Sequence, residues 1–184
     1  SGLLSDSIIK GLVGELLFLE QEAFKNYGKP IAVQGWVGPN GADRDFVYAD
    51  TWFEIKAADP SATAVGISSV EQLDIDQEGQ LVIFFLESTS PTASASISLT
   101  EQVNRVRNQL QGDPEAALLF ESKLLELGYI DRKEYNEYVF VERGRKFFCV
   151  NESFPRLRRK TVPIGVQRVE YSISLSAITA WELR

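Results

Sequence analysis

Asp45-Phe46-Val47-Tyr48-Ala49-Asp50-Thr51-Trp52-Phe53-Glu54-Ile55-Lys56 is the stretch on which the reading of this chain turns. Asp45 to Tyr48 alternates, Ala49-Asp50-Thr51 turns, and Trp52 to Lys56 alternates again, which is the pattern of a β-hairpin. Side chains on a strand point to opposite faces in turn. Glu54 and Lys56 therefore share one face, while Phe53 and Ile55 share the other. The turn brings Asp45 close to Glu54. Two carboxylates at short range repel unless something positive sits between them. A hard divalent cation answers that need, and carboxylate and water ligands favour Mg2+ or Mn2+. The Lys56 ammonium beside such an ion can orient an attacking water, while the ion lowers that water's pKa and offsets charge building on phosphorus.

Working outward, Gly11-Leu12-Val13-Gly14-Glu15-Leu16 lies in a helix expected from about Ile8 to Asn26, capped by Ser5-Asp6-Ser7 and ended by Gly28-Lys29-Pro30. Glu15 sits inside its apolar stripe, where a carboxylate is costly unless paired or metal-bound. Gly11 and Gly14 are read as points where the helix comes close to another backbone. Ile31 to Val37 reads as a short strand and Val65 to Leu73 as either strand or helix start. Gln80 to Glu87 reads as a buried strand. Two helices are expected at Glu101–Gln111, capped by Thr100, and after the Asp113-Pro114 start signal, to about Leu127. Residues 138–150 and 166–175 read as strands. The charge balance changes near residue 100, so two parts are expected: a core of residues 1–100 and a C-terminal part of residues 101–184, packed as one unit or apart.

Composition narrows the chemistry. The 184 residues include no histidine and one cysteine, which excludes histidine-based triads, histidine general bases and four-cysteine zinc sites. No apolar run approaches the ~20 residues of a membrane helix, and no signal peptide is visible, so a cytoplasmic location is expected. The chain has no methionine, and Ser1-Gly2 reads as a tag scar or a cut edge, so a fragment is expected.

The net charge is −7, but residues 1–100 carry 5 basic and 14 acidic side chains, whereas residues 132–168 carry 10 basic and 4 acidic. An acidic half that could hold cations thus faces a basic stretch that could hold phosphates. Within it, Arg156, Arg158, Arg159 and Lys160 read either as a solvated loop or as a phosphate-contacting arm, which Arg143, Arg145 and Lys146 would extend.

Asp45 and Glu54-Ile55-Lys56, preceded by a helix carrying Glu15, resemble the PD-(D/E)xK nuclease superfamily, the fold of many restriction endonucleases. With Val70-Glu71-Gln72-Leu73, Phe154-Pro155-Arg156-Leu157, Val162-Pro163-Ile164-Gly165-Val166 and Tyr171-Ser172-Ile173, the pattern resembles DUF4420, a bacterial family grouped with that superfamily and found near phage-defence genes. No proline precedes the acidic residue, and Asp43 competes with Asp45 for its role.

The resemblance implies an α/β restriction endonuclease-like core, a helix plus a mixed sheet with a central hairpin, and a C-terminal α+β extension. It implies Asp45, Glu54 and the Ile55 backbone carbonyl as ligands of Mg2+ or Mn2+. Lys56 would position water, Glu15 would support the ion directly or through water, and Gln72 would stand behind them or touch phosphate. The activity implied is DNA cleavage in restriction or phage defence, with homodimerisation open. Two rivals remain: a subunit that keeps the fold and binds or scaffolds DNA without chemistry, and an interaction module for protein partners of a defence operon.

Overall fold

The computed structural model describes residues 2–183, so the Ser1 half of the expected tag scar lies outside them. The helices are α1 (Asp6–Phe18), which runs on through a π-helical stretch (Leu19–Ala23) into α2 (Phe24–Tyr27), then α3 (Lys29–Gln34), α4 (Leu99–Gln109) and α5 (Pro114–Glu126). The strands are β1 (Phe46–Val47), β2 (Trp52–Ala58), β3 (Ala64–Ile67), β4 (Gly79–Ser88), β5 (Ile97–Ser98), β6 (Val139–Val150), β7 (Tyr171–Ser174) and β8 (Glu182–Leu183). The main sheet has the order β1-β2-β4-β6-β5, with β8 also on β6. The β2/β4 pair is parallel and the others are antiparallel, which makes the sheet mixed. A small second sheet pairs β3 with β7. This is an α/β fold compatible with a restriction endonuclease-like core.

The layers follow from the pleat. One face of the sheet, with Phe53, Ile55, Val82, Phe84 and Leu86, packs on α1, α4 and α5. The other face, with Trp52, Leu81, Ile83, Phe148 and Val150, packs on the β3/β7 sheet and on Leu73 and Phe154. β4 is covered on both faces, which is why Leu81 to Leu86 is apolar without alternation. β6 lies between β4 and β5, so the segments before and after residue 100 share one sheet.

The β1/β2 hairpin lies at the edge of this sheet rather than at its centre. Its edge strand has only two residues, so β2 runs on unpaired on that side after Phe53. That bare edge is where the site forms.

Several local expectations are corrected. Ile31 to Val37 is not a strand: Lys29–Gln34 is a helical turn and a half, opened by Pro30 at its start. The cap of α4 is Ser98, not Thr100: its hydroxyl accepts from the Glu101 N–H while the Glu101 carboxylate accepts from the Ser98 N–H, a complete capping box. Val65 to Leu73 divides into β3 and a single 3-10 turn, Val70–Gln72.

The glycines of α1 also behave differently from expectation. A methyl on Gly11 would meet nothing within 4 Å, and one on Gly14 would make ordinary contacts of 3.6 Å with Ala57 and Ile55. Neither is demanded by close approach. Gly11→Ala should therefore gain about 1 kcal/mol of helix propensity, a rise of roughly 2–4 °C in Tm that thermal unfolding would read.

Candidate active site

Four segments deliver side chains to the bare edge of β2. Continuing the β1/β2 register places Asp45 opposite Glu54, and Asp45 turns its carboxylate onto the strand: Oδ2 accepts from the Ile55 N–H at 2.8 Å. A strand residue points its N–H and C=O to the same side, so the Ile55 carbonyl leaves the same edge. Asp43 lies exposed in the approach to β1. Glu54 is 2% exposed. Its Oε2 stands 3.4 Å from Lys56 Nζ, and its Oε1 is buried without a hydrogen-bond partner. Lys56 Nζ also donates to Gln72 Oε1 at 3.0 Å.

Glu15 reaches the edge from the helical layer. Its Oε1 accepts from the Trp36 indole N–H at 2.9 Å. Trp36 belongs to a strap of residues 35–38 that lies along β1. Val37 N–H and Gly38 N–H both donate to the Asp45 carbonyl, at 2.9 and 3.1 Å, and Val47 N–H donates to the Gly35 carbonyl at 2.8 Å. The place a Cβ would take on Gly38 is 3.1 Å from Asp45 Oδ1 and 3.3 Å from Glu15 Oε1. Glycine therefore keeps a space open between the two carboxylates that a side chain would fill.

The three acids perturb one another. Burial pushes the Glu15 carboxyl well above its usual range, and the Asp45 charge adds to this, against the Trp36 hydrogen bond and Lys56. Burial raises Asp45 to about 6, held back by the Ile55 N–H, Lys56 and a hydrogen bond with Glu54. Burial raises Glu54 as well, followed by Asp45, with Lys56 opposing and Glu15 adding a smaller push. Like charges crowded out of water hold protons, or take a cation in their place.

Mg2+ or Mn2+ fits this donor set: oxygen ligands only, one buried carboxylate oxygen without a partner, and a space kept by Gly38. The acids are electrostatic neighbours rather than a closed cage. Among the described residues, no three His, Cys, Asp or Glu side chains already stand at metal-ligand spacing.

The arginines read as a phosphate arm are engaged inside the fold. Arg158 pairs with Asp74 and Asp76, Arg159 with Glu71, and Arg156 with the Leu73 and Ile75 carbonyls. Arg143 pairs with Glu87, Arg145 with Glu22 and Glu142, and Lys146 with Glu182. Lys160 is exposed.

Sequence reading missed Lys123 and Trp36. Lys123 is 4% exposed and donates to the carbonyls of Val33 at 2.7 Å, Gln34 at 3.1 Å, and Trp36. It thereby pins the strap whose indole holds Glu15. A lone lysine within a leucine-rich helix carries no signal of this in sequence.

Over residues 1–176 the chain matches DUF4420, whose description is "Putative PD-(D/E)XK family member". The protein belongs to this family. No curated protein and no solved structure gives a significant match. The DUF4420 match spans the bare edge, the strap and the arginine tract alike. No helix among the described residues is long and apolar enough to cross a membrane.

Proposed function

We propose that this DUF4420 protein is a metal-dependent endonuclease that hydrolyses DNA phosphodiester bonds, acting in restriction or phage defence. The observation that carries the reading is the meeting of Glu15, Asp45, Glu54 and Lys56 at one bare strand edge, with three acids raised by shared burial and a lysine beside them. Asp45, Glu54, the Ile55 carbonyl and Glu15 would hold Mg2+ or Mn2+. When bound, the ion supplies a Lewis acid for phosphate oxygens and a water acidic enough to attack at neutral pH.

The chain's own residues do the positioning. Lys56 is fixed between Glu54 and Gln72, so its remaining donor capacity points a water rather than sampling solvent. The Asp45 carboxylate is oriented by the Ile55 N–H and Glu15 by the Trp36 indole, so neither has to reorganise when charge develops.

The test is plasmid cleavage by the purified protein in Mg2+ or Mn2+, alongside Lys56→Ala. Nicking or linearisation by the wild type that Lys56→Ala loses supports the reading. Equal behaviour of the two proteins, with no cutting by either, overturns it in favour of a fold that binds or scaffolds DNA without chemistry.

A further inference from the structure

The stretch from Ser68 to Asp76 carries Gln72, whose Oε1 accepts from Lys56 Nζ at 3.0 Å and from the Ser68 N–H at 2.9 Å. Its regular structure is one 3-10 turn, Val70–Gln72, and an element that short does not hold itself in place. Guanidinium groups hold it instead. Arg44 donates to the Glu71 carbonyl at 3.1 Å, and Arg156 donates to the carbonyls of Leu73 and Ile75. The backbone on both sides of Gln72 is thus tied to an arginine.

The carboxylates of the stretch are tied as well. Arg159 forks onto Glu71 at 2.6 and 2.9 Å through Nη2, and its backbone N–H donates to Asp74 Oδ2 at 3.0 Å. Arg158 Nε donates to Asp74 Oδ1 at 2.6 Å. Charge-assisted forks of this kind fix geometry as well as adding energy.

We propose that Arg156, Arg158 and Arg159 are positioning residues that brace this stretch so that Gln72 holds the Lys56 ammonium against Glu54, and that they are not a phosphate-binding arm. The proposal rests on the reading of Lys56 as the amine that orients water. A lysine side chain carries about 2 kcal/mol of rotamer entropy, and an amine at a reaction centre loses rate when free to swing. Gln72 and Glu54 flank it, and the arginines fix Gln72. Donors already spent on Glu71, Asp74 and two carbonyls would have to leave their partners before meeting a phosphate.

The experiment uses the full chain with Arg159→Ala, with the exchanged pair Glu71→Arg/Arg159→Glu, and with Gln72→Ala. Arg159 and Glu71 are each about two-fifths exposed, so these variants should fold. Three quantities are read: the rate of reductive methylation of Lys56 in metal-free protein by peptide mass spectrometry, the Kd for duplex DNA as a function of salt, and cleavage in Mn2+.

For Arg159→Ala the brace predicts Lys56 labelling several-fold faster and a lower kcat, with KM, Kd and salt slope unchanged. The exchanged pair should restore slow labelling. Gln72→Ala, which leaves the arginine pairs intact, should speed labelling equally. The proposal is overturned if labelling stays at the wild-type rate in Arg159→Ala or Gln72→Ala. It is equally overturned if Kd weakens in Arg159→Ala with a salt slope shallower by about 1, the signature of a lost phosphate contact. A wild type that cuts nothing sinks the nuclease reading by itself, because the labelling arm needs no activity.

Discussion

Glu54→Gln is expected to produce a protein that cuts DNA at least about 10²–10³-fold more slowly and yet, free of metal at pH 8, melts at a higher temperature than the wild type. The two effects share one cause. Glu54 is 2% exposed, with one oxygen unpartnered and Asp45 and Glu15 nearby. An amide of the same shape removes the charge that the fold resists, and with it the charge that would hold a cation.

The same physics sets a pH profile for the metal-free wild type. Asp45 titrates at about 6 in the folded protein against 3.8 ordinarily, and Glu15 and Glu54 are raised too. Below about pH 4 all three are protonated in both states, and the folded protein has their full contribution. As pH rises from about 4 towards 6, the unfolded chain gives up the Asp45 proton while the folded one still holds it, so stability falls, and the raised Glu15 and Glu54 carry the fall further. For Asp45 alone the loss is roughly 3 kcal/mol, on the order of 10 °C in Tm for a chain of this size. Asp74 is shifted the opposite way: burial pushes it up, but Arg158 and the Arg159 N–H together outweigh burial and lower it. Its contribution is present above the ordinary carboxylate range and is lost only in more acid solution.

The metal-free protein should thus melt highest near pH 4, lower at pH 5 and clearly lower at pH 8. Mn2+ at about a hundred times its Kd should return about 3 kcal/mol at pH 8 and little at pH 5. Calorimetric scans with and without Mn2+ check both. A flat profile between pH 5 and 8 would mean that the three acids are not crowded as described.

Part of this was legible in the sequence for a simple reason: the signals were local. The alternation of Trp52 to Lys56 puts Glu54 and Lys56 on one face, and the hairpin turn puts Asp45 opposite Glu54. The apolar run Leu81 to Leu86 declares a strand covered on both faces. Asp113-Pro114 marks a helix start that the Asp113 side chain does cap.

The parts that sequence did not show depend on partners far along the chain. Ile31 and Val33 favour a strand by type, yet the turn they occupy is closed by Lys123, some ninety residues away. Arg158 and Arg159 read as free cations because Asp74 and Glu71 lie more than eighty residues upstream. Periodicity carries no information at that range, and an ion pair leaves no local mark in composition.

Lys123→Met is expected to cost on the order of 3–5 kcal/mol, a drop of about 10 °C or more in Tm. The end of α3 has no left-handed glycine to close it: Gly35 stays right-handed at φ −75°. Carbonyls at a helix end need donors from elsewhere, and Lys123 brings a group with three. The Val33 carbonyl keeps the Trp36 N–H, but each acceptor left bare in a buried place costs about 1–3 kcal/mol, and methionine fills the volume without supplying a donor. Burial draws the lysine down to about 8, so it is still charged at neutral pH and complements the negative end of the short helix.

The consequence extends beyond stability, because one of the three carbonyls belongs to Trp36, whose indole holds Glu15, and the next two residues hold the Asp45 backbone. At a temperature where Lys123→Met is still folded, the stabilisation by Mn2+ at pH 8 should therefore be smaller than in the wild type. Lys123→Arg should not rescue it, since a planar fork does not match three converging carbonyls. Thermal unfolding of the three proteins with and without Mn2+ decides the matter. If Lys123→Met melts within about 2 °C of the wild type and keeps the full Mn2+ response, water satisfies the end of α3 and the strap holds Glu15 without the lysine.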